Sequence, residues 1–174
     1  MRSVTMSEQD GVMRLPLCRM WVLLLMAGIA VSPNLFAQEA SPDAAAFKLP
    51  AKGERVSLAE IKTICEHFGL MQLWAKIEAD PPGKPFASDG CTSWVDQVKG
   101  RSIYPACFLH DLKYWAGYPG ERVERLAADA ELMIDVARIL ESTAMAETMY
   151  AGVRVGGTEH LKAKFSWGFG RQDD

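Results

Sequence analysis

Apolar side chains recur at helical spacing in four stretches of this chain, with proline, glycine or capping residues between them. In the first, Leu58, Ile61, Cys65, Phe68 and Met71 or Gln72 form a stripe, preceded by Ser57 and Glu60 at capping-box spacing. This predicts one helix from residue 58 to about Ala79, stopped by Asp80-Pro-Pro-Gly83. The second stretch, about 105–116, opens at Pro105 and closes at Gly117, which suits a left-handed residue after the last turn. The third runs from Glu121 to Glu141, where Leu126, Asp129, Met133, Val136 and Leu140 mark the expected buried seam. A fourth, about Thr143 to Val153, ends near Gly156-Gly157. Lys84 to Arg101 reads as a loop, and the alternating Phe165, Trp167 and Phe169 of the tail read as a short strand or a cap on the core. The short link between the second and third helices makes them antiparallel neighbours. The expected fold class is all-α: a small helical domain built on that antiparallel pair, tethered by a disulfide.

The second helix carries unusual chemistry for an element between two others. Cys107, His110, Asp111 and Tyr114 stand at i, i+3, i+4 and i+7, which places them on one side. On the third helix, Asp129 lies in the middle of the apolar seam, where a carboxylate is costly unless it is paired. His110 is the obvious partner: an aspartate holding one ring nitrogen fixes the tautomer and leaves the other free as a base. A purely structural bond from Asp129 to His110 or Tyr114 fits the same pattern. Asp111 is rotated by about 100° from His110 and must do something else. With Asp89 and the backbone at Gly90 it makes a set of oxygen donors suited to a hard cation such as calcium. Zinc suits the set less, having one well-placed histidine and cysteines that are candidates for oxidation.

Composition sharpens this picture at the N-terminus. Arg14 and Arg19 precede eleven uncharged residues, Trp21 to Val31, too short a run for a spanning helix but suited to a signal peptide. Residues 1–37 are expected to be removed after Ala37, although Leu35 fits the cleavage site imperfectly and an uncleaved anchor is the alternative. The twelve residues before Met13 are poorly suited to such a leader, so Met13 is a second candidate start. Residues 38–56, rich in Ala, Pro, Lys and Glu, are expected as a flexible linker, and 57–174 as the domain. Removing three Arg, one Asp and one Glu with the leader leaves 16 basic and 20 acidic residues, and no basic footprint for nucleic acid. Export places Cys65, Cys91 and Cys107 in an oxidising compartment, either periplasm and cell envelope or the extracellular space. Cys91 and Cys107, sixteen positions apart, are expected to pair, worth roughly 3 kcal/mol in the chain-entropy model. Cys65 is then a buried free thiol.

Cys107-Phe-Leu-His110-Asp111-Leu-Lys-Tyr114 resembles the C-x-x-H-D-x-x-Y helix of secreted phospholipase A2. Ser88-Asp89-Gly90-Cys91 before it and Arg125-Leu-Ala-Ala-Asp129 after it are closer to the bacterial and fungal branch than to the animal enzymes. The likeness spans about residues 86–140. It implies a phospholipase A2-like helical fold, with His110 as the base that takes a proton from water and Asp129 as the residue that orients it. It further implies Tyr114 bonded to that aspartate, and Asp89, the Gly90 carbonyl and Asp111 as calcium ligands. Three features depart from the pattern. The glycine-rich calcium loop of the animal enzymes is absent, the branch's second disulfide has no counterpart, and Tyr150 to Gly157 and the aromatic tail match nothing in it.

Two functions follow as expectations. One is a secreted, monomeric, calcium-dependent hydrolase that cleaves an acyl ester of phospholipid at a membrane surface, with Trp94, Tyr104, Trp115 and Tyr118 as a possible apolar rim. No Gly-x-Ser-x-Gly elbow competes with this reading. The other is a non-catalytic relative serving as a binding module of the cell envelope. The distance from the His110 ring to an Asp129 oxygen discriminates between them.

Overall fold

The structure is a computed structural model that describes residues 47–172 except 93 and 162; the expected leader, 1–37, lies outside these residues. Among the described residues five helices carry the fold: α1 (Leu58–His67), α2 (Met71–Ala79), α3 (Tyr104–Ala116), α4 (Arg122–Leu140) and α5 (Thr143–Gly156). A two-stranded hairpin, β1 (Gln97–Val98) and β2 (Arg101–Ser102), and a single 3₁₀ turn at Glu159–Leu161 complete it. The domain is therefore essentially all-helical.

Helix α1 starts as its sequence dictates, with Ser57 and Glu60 exchanging both capping-box bonds. It does not continue to Ala79. Gly69 takes φ +69°, its N–H reaching Glu66 O while the Leu70 N–H reaches Cys65 O at 2.7 Å. Those two bonds are a Schellman stop, and they turn α2 away from α1. A glycine inside a periodic stretch was the visible cue. Helix α3 spans the expected stretch, but Gly117 beyond it is extended rather than left-handed, at φ −62°. Glycine is needed there for a different reason: a Cβ would come within 2.5 Å of the Trp167 indole.

Phe86, Phe108, Trp115, Ile61, Ile64, Ile77 and Leu112 are buried in a core between α1, α2 and α3. Each such side chain contributes about 1.5–3 kcal/mol relative to exposure. Free Cys65 lies in this core, where burial pushes its thiol up to about 11. Residues 47–56, the described part of the segment expected as a linker, lie against this core. Val56 bridges Phe86, Gly53 donates to Ser88 O, and Phe47 stacks on His67.

The second core joins α4 and α5 to the far side of α3. His110 meets Asp129 and Tyr114 meets Arg125, residue numbers that rise on one helix as they fall on the other, so α3 and α4 run antiparallel. The α4 seam differs from the one read along the sequence. Ala128, Asp129, Leu132 and Val136 are buried, whereas Leu126 is 46% exposed. Covering by α3 on one side and α5 on the other rotates the buried face away from Leu126. The Cys91–Cys107 disulfide forms as expected, tying the loop before the hairpin to the first turn of α3, not α3 to α4. In the hairpin itself the turn, Lys99-Gly100, has φ of 51° and 78°, the two left-handed residues that a tight two-residue connection demands. Among the described residues the tail makes no strand. Trp167 is buried edge-on to Tyr114 with its Nε1 donating to Tyr118 O, and the Arg171 guanidinium lies over the Tyr118 ring.

Candidate active site

Helix α3 is central enough that His110 and Tyr114, one turn apart, are both buried, and their rings lie 4.2 Å apart. Opposite them on α4, Asp129 has no exposed surface and receives three hydrogen bonds. His110 Nε2 lies 2.9 Å from Oδ1, the Tyr114 hydroxyl donates to Oδ1 at 2.6 Å, and Arg154 Nη1 donates to Oδ2 at 2.6 Å. Arg125 sits one turn before Asp129 on α4. Its Nε donates to the Tyr114 hydroxyl at 3.2 Å and its Nη2 to the Val153 and Arg154 carbonyls at the end of α5. Two arginines thus lock α5 onto the pair formed by α3 and α4.

Electrostatics follow from these contacts. Burial alone raises the Asp129 carboxyl, but the bonds from His110, Tyr114 and Arg154 outweigh it and hold it below the usual carboxylate range. For His110 burial wins over the attraction of Asp129, and the imidazole titrates below its ordinary value, aided by Lys113 and Arg125. The ring is therefore neutral near pH 7. With Nε2 turned to the carboxylate, Nδ1 is the nitrogen left to act as an acceptor. It has no hydrogen-bond partner among the described residues.

His110 lines a cavity of about 210 Å³. The disulfide, Asp111 and Gly90 form one side, and Met149, Gly152, Val153 and Gly156 of α5 form the other. Trp94 and the partly exposed Phe165 also line it. Of the four aromatics expected as a rim, only Trp94 is there. Tyr104 reaches back to Pro50 O, Trp115 is buried with its Nε1 on Lys84 O, and Tyr118 lies beneath Arg171.

No family model matches the chain, and no curated protein or solved structure does. Geometry alone must carry the site.

The loop before α3 brings Asp89 and Gly90 to Asp111. Ser88 Oγ donates to Asp111 Oδ2 at 2.6 Å, and the Asp89 and Gly90 N–H groups also face that carboxylate. Burial nevertheless pushes Asp111 up to about 8, with the charge on Asp89 adding to it. Asp89 is exposed and accepts from Thr92 Oγ1 at 2.7 Å, while the Gly90 carbonyl accepts from the Thr92 N–H. Two carboxylates next to a backbone oxygen are donor chemistry that fits a hard cation. Among the described residues no three His, Cys, Asp or Glu side chains converge on one metal position, so such an ion would rest on two carboxylates and backbone oxygen.

Sequence reasoning found His110, Asp129, Tyr114, Asp111 and Asp89, and the structure places these in two adjoining groups. It missed Ser88, Arg125 and Arg154. Arg125 had a visible signal, standing four residues before Asp129 on the same helix. Arg154 had none.

Proposed function

We propose that this chain is an exported, calcium-dependent hydrolase of the phospholipase A2 type, with a phospholipase A2-like helical fold. The observation that carries the reading is the buried His110–Asp129 pair at 2.9 Å, with the second ring nitrogen unbonded on a residue that lines an apolar cavity. A structural pair has no need of such a cavity.

In the proposed reaction His110 Nδ1 removes a proton from a water molecule as that water attacks the acyl carbonyl of a phospholipid ester. Asp129 keeps Nε2 protonated and stabilises the imidazolium that forms, and the same proton then passes to the departing alcohol oxygen. Tyr114 and Arg154 hold the Asp129 carboxylate in place. Asp111, Asp89 and the Gly90 carbonyl would hold calcium, which when bound supplies polarisation of the ester carbonyl. Trp94, Phe165 and the α5 wall accept an acyl chain. The Cys91–Cys107 bridge supports an oxidising compartment, either periplasm and envelope or the cell exterior.

A second reading, a non-catalytic module of the envelope, is favoured by Arg154. With that guanidinium on Oδ2, Asp129 is ion-paired without the histidine, as a purely structural network requires. Fatty-acid release from phospholipid vesicles, with calcium and with chelator, separates the two on wild type and His110→Ala. Release that needs both calcium and His110 supports the hydrolase. Equal release in every arm removes the mechanism, and no release in any arm favours the module.

A further inference from the structure

On α4 and the segment after α5 lies a second cavity, about 240 Å³, whose lining has a different character. Arg122, Arg125, Arg154 and His160 contribute to it, with Thr158 and Trp167. No carboxylate among the described side chains lines it. Asp129 stands behind this wall and takes one donor from Arg154.

Counting donors shows what is left over. A guanidinium offers five N–H groups. Arg125 uses its Nε and Nη2 groups on Tyr114, Val153 and Arg154, so its Nη1 has no partner among the described residues. Arg154 bonds Asp129 through Nη1 alone. The Arg122 side chain is exposed and has no ion pair or hydrogen bond among the described residues, and neither does His160. Three guanidiniums facing one cavity, offset by one carboxylate behind it, leave a local excess of positive charge at neutral pH. Unused planar donors around one polar hollow match a tetrahedral oxyanion.

We propose that the cavity of Arg122, Arg125, Arg154 and His160 is a binding site for a phosphate group, either a free phosphate or the phosphate of a lipid headgroup. It is separate from the cavity at His110 and needs no turnover to be occupied, so it stands or falls apart from the hydrolase reading. Arg125 and Arg154 also hold the fold together. The test therefore changes Arg122 and His160, both exposed, in the double variant Arg122→Gln/His160→Gln.

Two arms separate the sources of phosphate. Calorimetric titration with inorganic phosphate, in chelator to exclude calcium phosphate, reads the site directly. Co-sedimentation with vesicles of ether-linked phosphatidic acid, which has no acyl ester to cleave, reads the lipid. The expected result is saturable phosphate binding by the wild type, weakened at least tenfold in the double variant. Vesicle capture lost in the double variant and competed by inorganic phosphate assigns the site to a headgroup, while phosphate binding without capture assigns it to a soluble phosphate. Absence of binding in both arms, or equal affinity in wild type and double variant, overturns the proposal.

Discussion

Arg154 donates to Asp129 on the carboxylate oxygen that His110 leaves open, at 2.6 Å. One buried aspartate thereby joins three helices: His110 and Tyr114 reach it from α3, and Arg154 reaches it from α5. Removing one partner of a buried ion pair costs about 3–5 kcal/mol, because the remaining charge is left desolvated. Arg154 is 32% exposed and two other donors remain, so Arg154→Ala is expected to cost less, about 2 kcal/mol. Urea unfolding measures it. Arg154→Lys, a cation with a different reach, should recover part of the loss.

Asp129→Asn tests what the aspartate does for the imidazole. An amide of the same shape can present its N–H to Nε2 and so favour the wrong tautomer, which leaves Nδ1 protonated and useless as a base. Under the proposed mechanism fatty-acid release should fall by roughly 10⁴-fold, the scale of amidating the aspartate of a serine–histidine–aspartate triad, where the same wrong tautomer results. His110→Ala should lose at least as much. A release rate in Asp129→Asn within threefold of wild type would mean that the pair is structural.

Helices α3, α4 and α5, the start of α1 and the disulfide were legible because each rests on local information: capping residues, periodicity, and two cysteines sixteen positions apart; the Gly69 break that splits α1 from α2 was not read. The misreadings came from what tertiary packing decides. Leu126 follows the helical period of α4, yet α3 and α5 cover the side that carries Leu132 instead. Gly117 looked like a left-handed stop, but its role depends on Trp167, fifty positions later. Half of the site was readable from one face of α3. Arg154 was not, because an arginine on an amphipathic helix reads as solvated until the partner's position is known.

Acid should weaken the fold through this same cluster. The Asp129 carboxyl, faced by His110 and Tyr114 from α3, Arg125 from α4 and Arg154 from α5, titrates below 3.8 when folded. A depressed folded value means that the unfolded chain binds the proton first. The stabilisation is therefore complete above the unfolded value near 4 and is lost as pH falls through the folded one. His110 acts in the same direction from below 6.5, since burial favours its neutral form. Unfolding free energy measured from pH 7 down to pH 2 should fall more steeply in wild type than in Asp129→Asn below pH 4. An identical slope in that window would show that Asp129 is not held ionised.

Two neighbouring glycines of the α5 terminus make opposite predictions. At Gly157 a Cβ would lie 2.5 Å from the Tyr114 hydroxyl, so Gly157→Ala must displace the ring that bonds Asp129. Overpacking of this kind costs about 1–3 kcal/mol, and here it should also slow release because Tyr114 loses its position. At Gly156 a Cβ meets nothing within 4 Å, and the residue lines the cavity beside His110. Replacing a helical glycine restores about 0.5–1 kcal/mol of backbone entropy. Gly156→Leu should therefore fold at least as stably as wild type while its side chain occupies the space assigned to the acyl chain. Thermal unfolding and release from long- and short-chain phospholipids read both variants. Loss of long-chain activity in a Gly156→Leu protein with an undiminished Tm would place the acyl chain in this cavity, and unchanged long-chain activity would place it elsewhere.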